Sequence, residues 1–140
     1  MTTLGRGHRV LGHTADIRLH AWAPTREECV AEAVVALVDS FADIDGARPQ
    51  WTTETELSAE TDDDLLVEAL DEVIYLVDTR SAVPVDASLD RHGDGWRLRL
   101  GMAPMSTVEL RGAAPKAIAL SGLRLAPEDG RWSCTVTVDV

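Results

Sequence analysis

The sequence has few cysteines, no long apolar run and little positive charge, and each shortage excludes a class of protein. Cys29 and Cys134 are the only two cysteines, and they form neither a C-x-x-C pair nor a disulfide framework. The longest fully apolar stretch, residues 33–38, has six residues, whereas a bilayer-spanning helix needs roughly 20. No charged-then-apolar leader opens the chain. The sequence therefore predicts a soluble, cytoplasmic protein that does not associate with membranes.

Positive charge is scarce, since 24 acidic residues outnumber 13 basic ones and give a formal net charge of -11. Proteins that bind nucleic acid directly normally carry a basic patch or stripe. With so few cations, we expect no direct contact with nucleic acid, and any role in RNA metabolism would depend on a partner. Lys116 is the only lysine among the 13 basic residues.

The signatures of common enzymes are also missing. The sequence has no glycine-rich nucleotide-binding loop, no G-x-S-x-G motif and no H-E-x-x-H motif. This lowers the expectation of a stand-alone enzyme.

What is present fits a single globular domain. The chain has 140 residues, of which 45% are hydrophobic and 26% charged, and a chain of this size buries enough surface to form one core. No repeat, linker or low-complexity segment divides it. We therefore expect one domain over residues 1–140, with residues 1–9 as a mobile N-terminal segment.

Hydrophobic periodicity predicts two helices among several strands. Residues 17–23 and 51–57 alternate apolar and polar positions, as half-buried strands do. Thr25 and Glu28 form a capping box before a helix over about 26–42, and Thr61 to Asp64 caps a second helix. Further strands are predicted at 83–89, 96–100, 107–111, 117–125 and 132–140, with a turn at 92–95. The predicted fold class is α+β, with two helices packed on a mostly antiparallel sheet.

Two places carry candidate chemistry. His13-Thr14-Ala15-Asp16 precedes the first predicted strand, and Asp139 with Val140 ends the last. If these strands lie side by side, the oxygens of Asp16, Asp139 and Val140 suit a hard divalent cation. On the residues alone, solvated aspartates are the commoner case, and the same holds for Lys116. Asp62, Asp63 and Asp64 are predicted to cap a helix, and His8, His20 and His92 to be ordinary surface histidines.

Taken together, these motifs resemble the archease family. The resemblance rests on His13-Thr14-Ala15-Asp16-Ile17, the capped helix after it, Lys116-Ala117-Ile118 followed by Gly122-Leu123, and the closing Val138-Asp139-Val140. It extends over nearly the whole chain in order. Two positions differ from the usual family pattern, because Gly12 stands where an acidic residue commonly precedes the motif and Ser121 where a histidine is common.

The resemblance implies an accessory protein and not an enzyme. Archeases activate the RtcB-type tRNA-splicing ligase, promoting its guanylylation with GTP and its multiple turnover in tRNA splicing or RNA repair. By position, Asp16, Asp139 and Val140 match the family's metal site, which implies calcium or magnesium. Lys116 matches the family's functional lysine, which implies contact with the ligase. Two alternatives stay open: a chaperone or modulator of RNA-modifying enzymes such as tRNA methyltransferases, and a small metal-dependent hydrolase.

Overall fold

A computed structural model of the chain describes residues 5–12 and 16–140. Along this part of the chain the elements are β1 (Gly7–Gly12), β2 (Asp16–Ala23), α1 (Arg26–Asp39), β3 (Ala42–Asp43), β4 (Trp51–Leu57), α2 (Asp62–Arg80), β5 (Ala82–His92), β6 (Gly95–Pro104), a 3-10 helix (Met105–Thr107), β7 (Glu109–Leu110), β8 (Ala117–Glu128) and β9 (Arg131–Asp139). Among the described residues, neither α1 nor α2 has the length and hydrophobicity of a membrane-spanning helix.

The strands form three antiparallel sheets. The largest has the order β1-β2-β9-β8, the second has the order β4-β6-β5, and β3 pairs with β7 alone. Both helices contact strands of the two larger sheets. The prediction of an α+β fold with two helices packed on antiparallel sheet is confirmed.

The core lies where the helices meet the inner faces of the sheets. On β2, Ile17, Leu19, Ala21 and Ala23 are buried, and they alternate with residues of the opposite face. Val136 of β9 pairs with Leu19 and is equally buried. Because side chains alternate along a strand, this pattern leaves the other face of the same sheet free of helices.

Both helices begin at the caps that the sequence predicts. The Thr25 hydroxyl accepts a hydrogen bond from the Glu28 N–H, so Thr25 caps the helix, and the same hydroxyl donates to the Glu28 carboxylate. In a full capping box that carboxylate would accept from the Thr25 N–H instead. The Thr61 hydroxyl accepts from the Asp64 N–H. The first helix ends at Asp39 and not near residue 42, because the chain there turns into β3, where the Arg111 N–H donates to the Phe41 carbonyl.

Three segments differ from the predicted elements. Residues 7–12, three of which belong to the segment expected to be mobile, form the edge strand β1. Residues 107–111, predicted as one strand, include the end of the 3-10 helix and the two-residue β7, so a strand is present there but the predicted bounds are wrong. In β8 the pairing with β9 shifts between Ala119 and Arg124. We call residues 120–123 the β8 bulge, since they lie opposite a single β9 position.

Candidate functional site

Asp16 and Asp139 lie directly opposite each other at one end of the four-stranded sheet. Asp16 opens β2, Asp139 closes β9, and the two are partners in the antiparallel register. Side chains of such a pair share one face of a sheet and are close neighbours. The condition set by the sequence, that these two strands lie side by side, is therefore met.

Lys116 is fixed at the same end of the sheet. Its N–H donates a hydrogen bond to the Asp139 carbonyl, with 2.8 Å between the nitrogen and the oxygen. The next residue, Ala117, opens β8 and is the register partner of Asp139. Pro115 on the other side is buried, whereas Lys116 is exposed. The main chain of Lys116 is thus held beside Asp139 while its side chain faces solvent.

The donors at this end are oxygens, which suits a hard cation. Two carboxylates directly opposite each other repel unless a cation neutralises them, and calcium and magnesium take carboxylate and main-chain oxygens completed by water. Within residues 5–12 and 16–140, no group of three or more His, Cys, Asp or Glu side chains is placed to hold a metal ion. Asp16 and Asp139 would therefore need a third oxygen from Val140, which follows Asp139 directly.

The remainder of the H-T-A-D motif, His13, Thr14 and Ala15, lies outside the described residues. The structure places only its aspartate.

A cavity of about 570 Å³ adjoins Asp16 on the helix-free face of the sheet. The β8 bulge contributes one wall, and Arg18 and His20 of β2 contribute polar side chains. Sequence reasoning did not select Arg18. The alternation of residues along β2 could have identified Arg18, because it places Arg18 and His20 on the same face as Asp16.

The acidic cluster at the start of α2 has structural partners. The Asp62 carboxylate pairs with the Arg26 guanidinium at 3.0 Å, and the Asp63 carboxylate accepts from the Leu125 N–H at 2.9 Å. Asp64 supplies the capped N–H. The three residues thus act separately, as expected for a helix start and unlike a metal site.

The histidines differ from one another. His92 is exposed and contacts Arg97 and Glu56, which confirms a surface histidine. His8 is not an ordinary surface histidine, because its ring bonds to carboxylates of Glu32 and Asp39 on α1.

His20 also differs from the expected surface histidine, since it is only partly exposed. Its Nε2 lies 3.0 Å from the Ser133 hydroxyl, and its ring is tilted against Trp22 with centroids 5.1 Å apart. Burial lowers the pKa of His20, and the nearby positive charges of Arg131 and Arg9 lower it further against the opposing charge of Glu128.

Comparison with known proteins defines the family. The Archease protein family model matches residues 8–140. A Mycobacterium tuberculosis protein described as "Probable protein archease" is 45% identical over 134 residues, which is 96% of this chain and 75% of that protein.

Two solved structures have a similar fold. The solution structure of Methanobacterium thermoautotrophicum protein 1598 has a TM-score of 0.75 at 24% identity, covering 96% of this chain and 99% of that one. A Thermotoga maritima crystal structure, described as "an archease, possible chaperone", has a TM-score of 0.64 at 18% identity, covering 94% and 96%. The fold class is therefore a two-helix, antiparallel α+β domain of the archease type. The chain belongs to the archease family.

Proposed function

We propose that this archease works in the cytoplasm as an accessory protein of an RtcB-type RNA ligase, promoting ligase guanylylation and repeated turnover. One observation carries the proposal: Asp16, Asp139 and the main chain of Lys116 meet at one end of the four-stranded sheet. These residues come from three distant parts of the chain, and they are the ones that match the family's functional positions.

In this proposal, Asp16, Asp139 and Val140 hold a calcium or magnesium ion. A bound cation would supply positive charge to the two facing carboxylates and so hold the ends of β2 and β9 together. The chain's own contribution is the register that sets the carboxylates opposite each other.

Lys116 would make the contact with the ligase. Its main chain is anchored through the Asp139 carbonyl, so its side chain extends from a fixed point. A positioned ammonium can stabilise negative charge that develops on phosphate during nucleotidyl transfer. An arginine is not equivalent there, since a planar guanidinium presents its charge differently from a compact ammonium.

The charge of the whole protein favours this partner. A protein with a net charge of -11 is attracted to a basic, RNA-binding enzyme, and complementary charge raises the rate of association. Because the ligase contacts the RNA, the accessory protein needs no RNA affinity of its own.

The proposal is tested by measuring guanylylation of the ligase from the same organism, with GTP and divalent metal, with and without this protein. We expect the protein to raise the rate at substoichiometric amounts, because each molecule would serve many ligase molecules. The proposal would be contradicted if the folded protein did not stimulate guanylylation. It would also be contradicted if the isolated protein hydrolysed a phosphate ester and the Asp16→Ala variant did not.

The metal site has a test that does not depend on the ligase. We expect calcium or magnesium to raise the melting temperature of the wild-type protein, because a ligand that binds only the folded state stabilises it. Asp16→Asn replaces a charged carboxylate with a neutral amide oxygen, which weakens the site and removes a like-charge repulsion. We therefore expect the metal-free melting temperature of Asp16→Asn to equal or exceed that of the wild type and to rise less when metal is added. Asp78→Asn, an exposed change on α2, is the control. An equal metal response in Asp16→Asn would refute the site.

A second candidate function is a chaperone or modulator of RNA-modifying enzymes such as tRNA methyltransferases. It is favoured by the Thermotoga maritima relative, which is described as a possible chaperone. Co-purification with a methyltransferase, combined with no effect on ligase guanylylation, would support this candidate over the first.

A further inference from the structure

Four of the arginines lie on the helix-free face of the four-stranded sheet, which we call the outer face. One row across it runs Arg9, His20, Thr135 and Arg124, each the register partner of the next. With strands about 4.8 Å apart, the backbones of Arg9 and Arg124 are roughly 14 Å apart. Further members of this face are Arg18 and Thr137 toward Asp16, and Trp22, Ser133 and Arg131 toward the opposite end.

None of these four arginines forms an ion pair with a carboxylate in the part of the chain that the structure describes. Throughout residues 5–12 and 16–140, the arginine ion pairs use Arg6, Arg26, Arg99 and Arg111 only. The residues outside this part, 1–4 and 13–15, include no Asp or Glu. Arg131 has Glu128 opposite it, whereas Arg9, Arg18 and Arg124 have no carboxylate among their register partners. In a protein with almost twice as many acidic as basic residues, these three guanidinium groups on one sheet face form a local positive surface.

Acidic groups are confined to the two ends of the outer face. Asp16 and Asp139 lie at one end, and Glu128 pairs in register with Arg131 at the other. The middle rows, which contain Arg9, Arg18 and Arg124, carry no carboxylate. An anionic partner would therefore cross the middle of the sheet and approach the Asp16 end.

Aromatic rings and hydroxyls accompany the positive charge. Trp22 and His20 are neighbours on this face, and the Arg131 guanidinium lies 5.3 Å from the Trp22 ring centroid. Thr135 is exposed, and its hydroxyl contacts the Gly122 carbonyl in the β8 bulge. Proteins that bind single-stranded nucleic acid combine a positively charged track with aromatic rings on which bases stack. An acidic peptide would need the charges but not the rings.

The β8 bulge gives the outer face depth. It borders the cavity of about 570 Å³ that is also lined by Arg18, His20 and Thr137. Gly122, with φ of +76°, allows the chain to turn there. The face is thus a sheet surface with a pocket beside the proposed metal end.

We propose that the outer face of the four-stranded sheet contacts the phosphate backbone of a single-stranded RNA segment held by the ligase. This inference rests on the proposed function, and it departs from the expectation, drawn from the overall charge, of no direct contact with nucleic acid. The protein's net charge of -11 opposes capture of free RNA, so the contact forms when the basic ligase has already bound the RNA. The RNA then crosses the arginine row toward the end that carries Asp16, Asp139 and Lys116.

The test compares two double variants in the reconstituted ligase system. Arg9→Gln with Arg124→Gln removes two charges from the outer face, and Arg48→Gln with Arg80→Gln removes two exposed arginines elsewhere as the matched control. Two reactions are measured: ligase guanylylation without RNA, and joining of RNA ends over a range of RNA and salt concentrations.

We expect both double variants to stimulate guanylylation as the wild type does. In the joining reaction, the outer-face variant is expected to raise the apparent KM for RNA about tenfold, since hydrogen bonds to charged groups contribute strongly. The slope of log KM against log salt should fall by about 1.4, or roughly 0.7 for each phosphate contact with a single strand. The control variant should match the wild type in both respects.

Other results would overturn the inference in distinguishable ways. If the outer-face variant joins RNA as the control does, the face does not contact RNA. If it loses guanylylation stimulation with no RNA present, the face docks an acidic surface of the ligase instead. If the wild-type protein does not stimulate guanylylation at all, the proposed function fails and this inference fails with it.

Discussion

His8 shows how one side chain joins the edge strand β1 to the helix behind it. Its Nδ1 lies 2.6 Å from the Glu32 carboxylate and its Nε2 lies 3.1 Å from the Asp39 carboxylate. Burial lowers the pKa of His8, but the hydrogen bonds and negative charges of Glu32 and Asp39 outweigh it and raise the pKa above its usual value. A protonated ring can donate to both carboxylates at once.

This arrangement predicts that His8 makes stability depend on pH. Because the pKa of His8 is higher in the folded protein than in the unfolded chain, protonation of His8 stabilises the fold. This stabilisation is complete below the pKa of the unfolded chain, about 6.5, and is lost as the pH rises through the pKa of the folded protein. We expect the wild-type melting temperature to fall more between pH 6 and pH 8.5 than that of His8→Gln. His92→Gln, which changes an exposed histidine, should keep the wild-type pH profile. Parallel profiles for His8→Gln and the wild type would contradict this account.

Cys29 and Cys134 meet in the core, although nothing in their spacing indicates it. Both are buried, and a hydrogen bond that the Cys134 thiol donates to Cys29, together with burial, raises the pKa of Cys134 well above its usual value. Thiolates, not thiols, react with alkylating reagents. We expect folded protein at pH 8 to be modified at either cysteine at least about tenfold more slowly than urea-unfolded protein. Rapid modification of Cys134 in the folded protein would refute this.

At the scale of single elements, the β8 bulge is the irregular part of an otherwise regular sheet. Gly122 has a φ of +76°, and a Cβ added there would meet no atom within 4 Å. Any effect of a side chain at this position therefore comes from the backbone conformation alone.

Gly122→Ala is accordingly expected to lower the free energy of unfolding by about 1 kcal/mol, the cost of a left-handed conformation for a residue with a Cβ. Urea denaturation measures this difference. Gly5→Ala is the control, because a Cβ at Gly5 also meets no atom and its φ is not positive. Equal losses in both variants would show that the effect is not conformational.

The elements that sequence patterns predict well are those with strong periodicity. Trp51–Leu57 alternates clearly and matches its prediction, and both helix starts match their capping threonines. The edge strand β1 was not predicted, because its inner face includes His8, a polar residue whose burial depends on the carboxylates of a distant helix. The bulge in β8 was not predicted either, since a register shift is set by pairing with β9.

The candidate site was predictable only in part, for a related reason. The sequence indicates that Asp16 begins a strand and that Asp139 ends one. It does not indicate that these strands pair, because β2 and β9 lie near opposite ends of the chain. The hydrogen bond that sets Lys116 beside Asp139 is likewise tertiary information.

At the scale of the whole molecule, charge is distributed in two ways, and both suit the ligase partner that we propose. The excess of 11 negative charges would favour approach to a basic ligase, whereas the arginines of the outer face form a local exception. The site with Asp16, Asp139 and Lys116 lies at the edge of that face. An accessory protein placed this way would present its lysine and its arginines to the same complex.

The most direct test of this account is the guanylylation rate of the ligase with wild-type protein and with Lys116→Ala. The substitution keeps the main-chain N–H that donates to Asp139, so the fold and the melting temperature should be unchanged. We expect the wild-type protein to stimulate guanylylation, and we expect the stimulation by Lys116→Ala to be at least about tenfold smaller. A loss of this size is expected when one group that stabilises charge in the transition state is removed. Full stimulation by a folded Lys116→Ala variant would contradict the central claim.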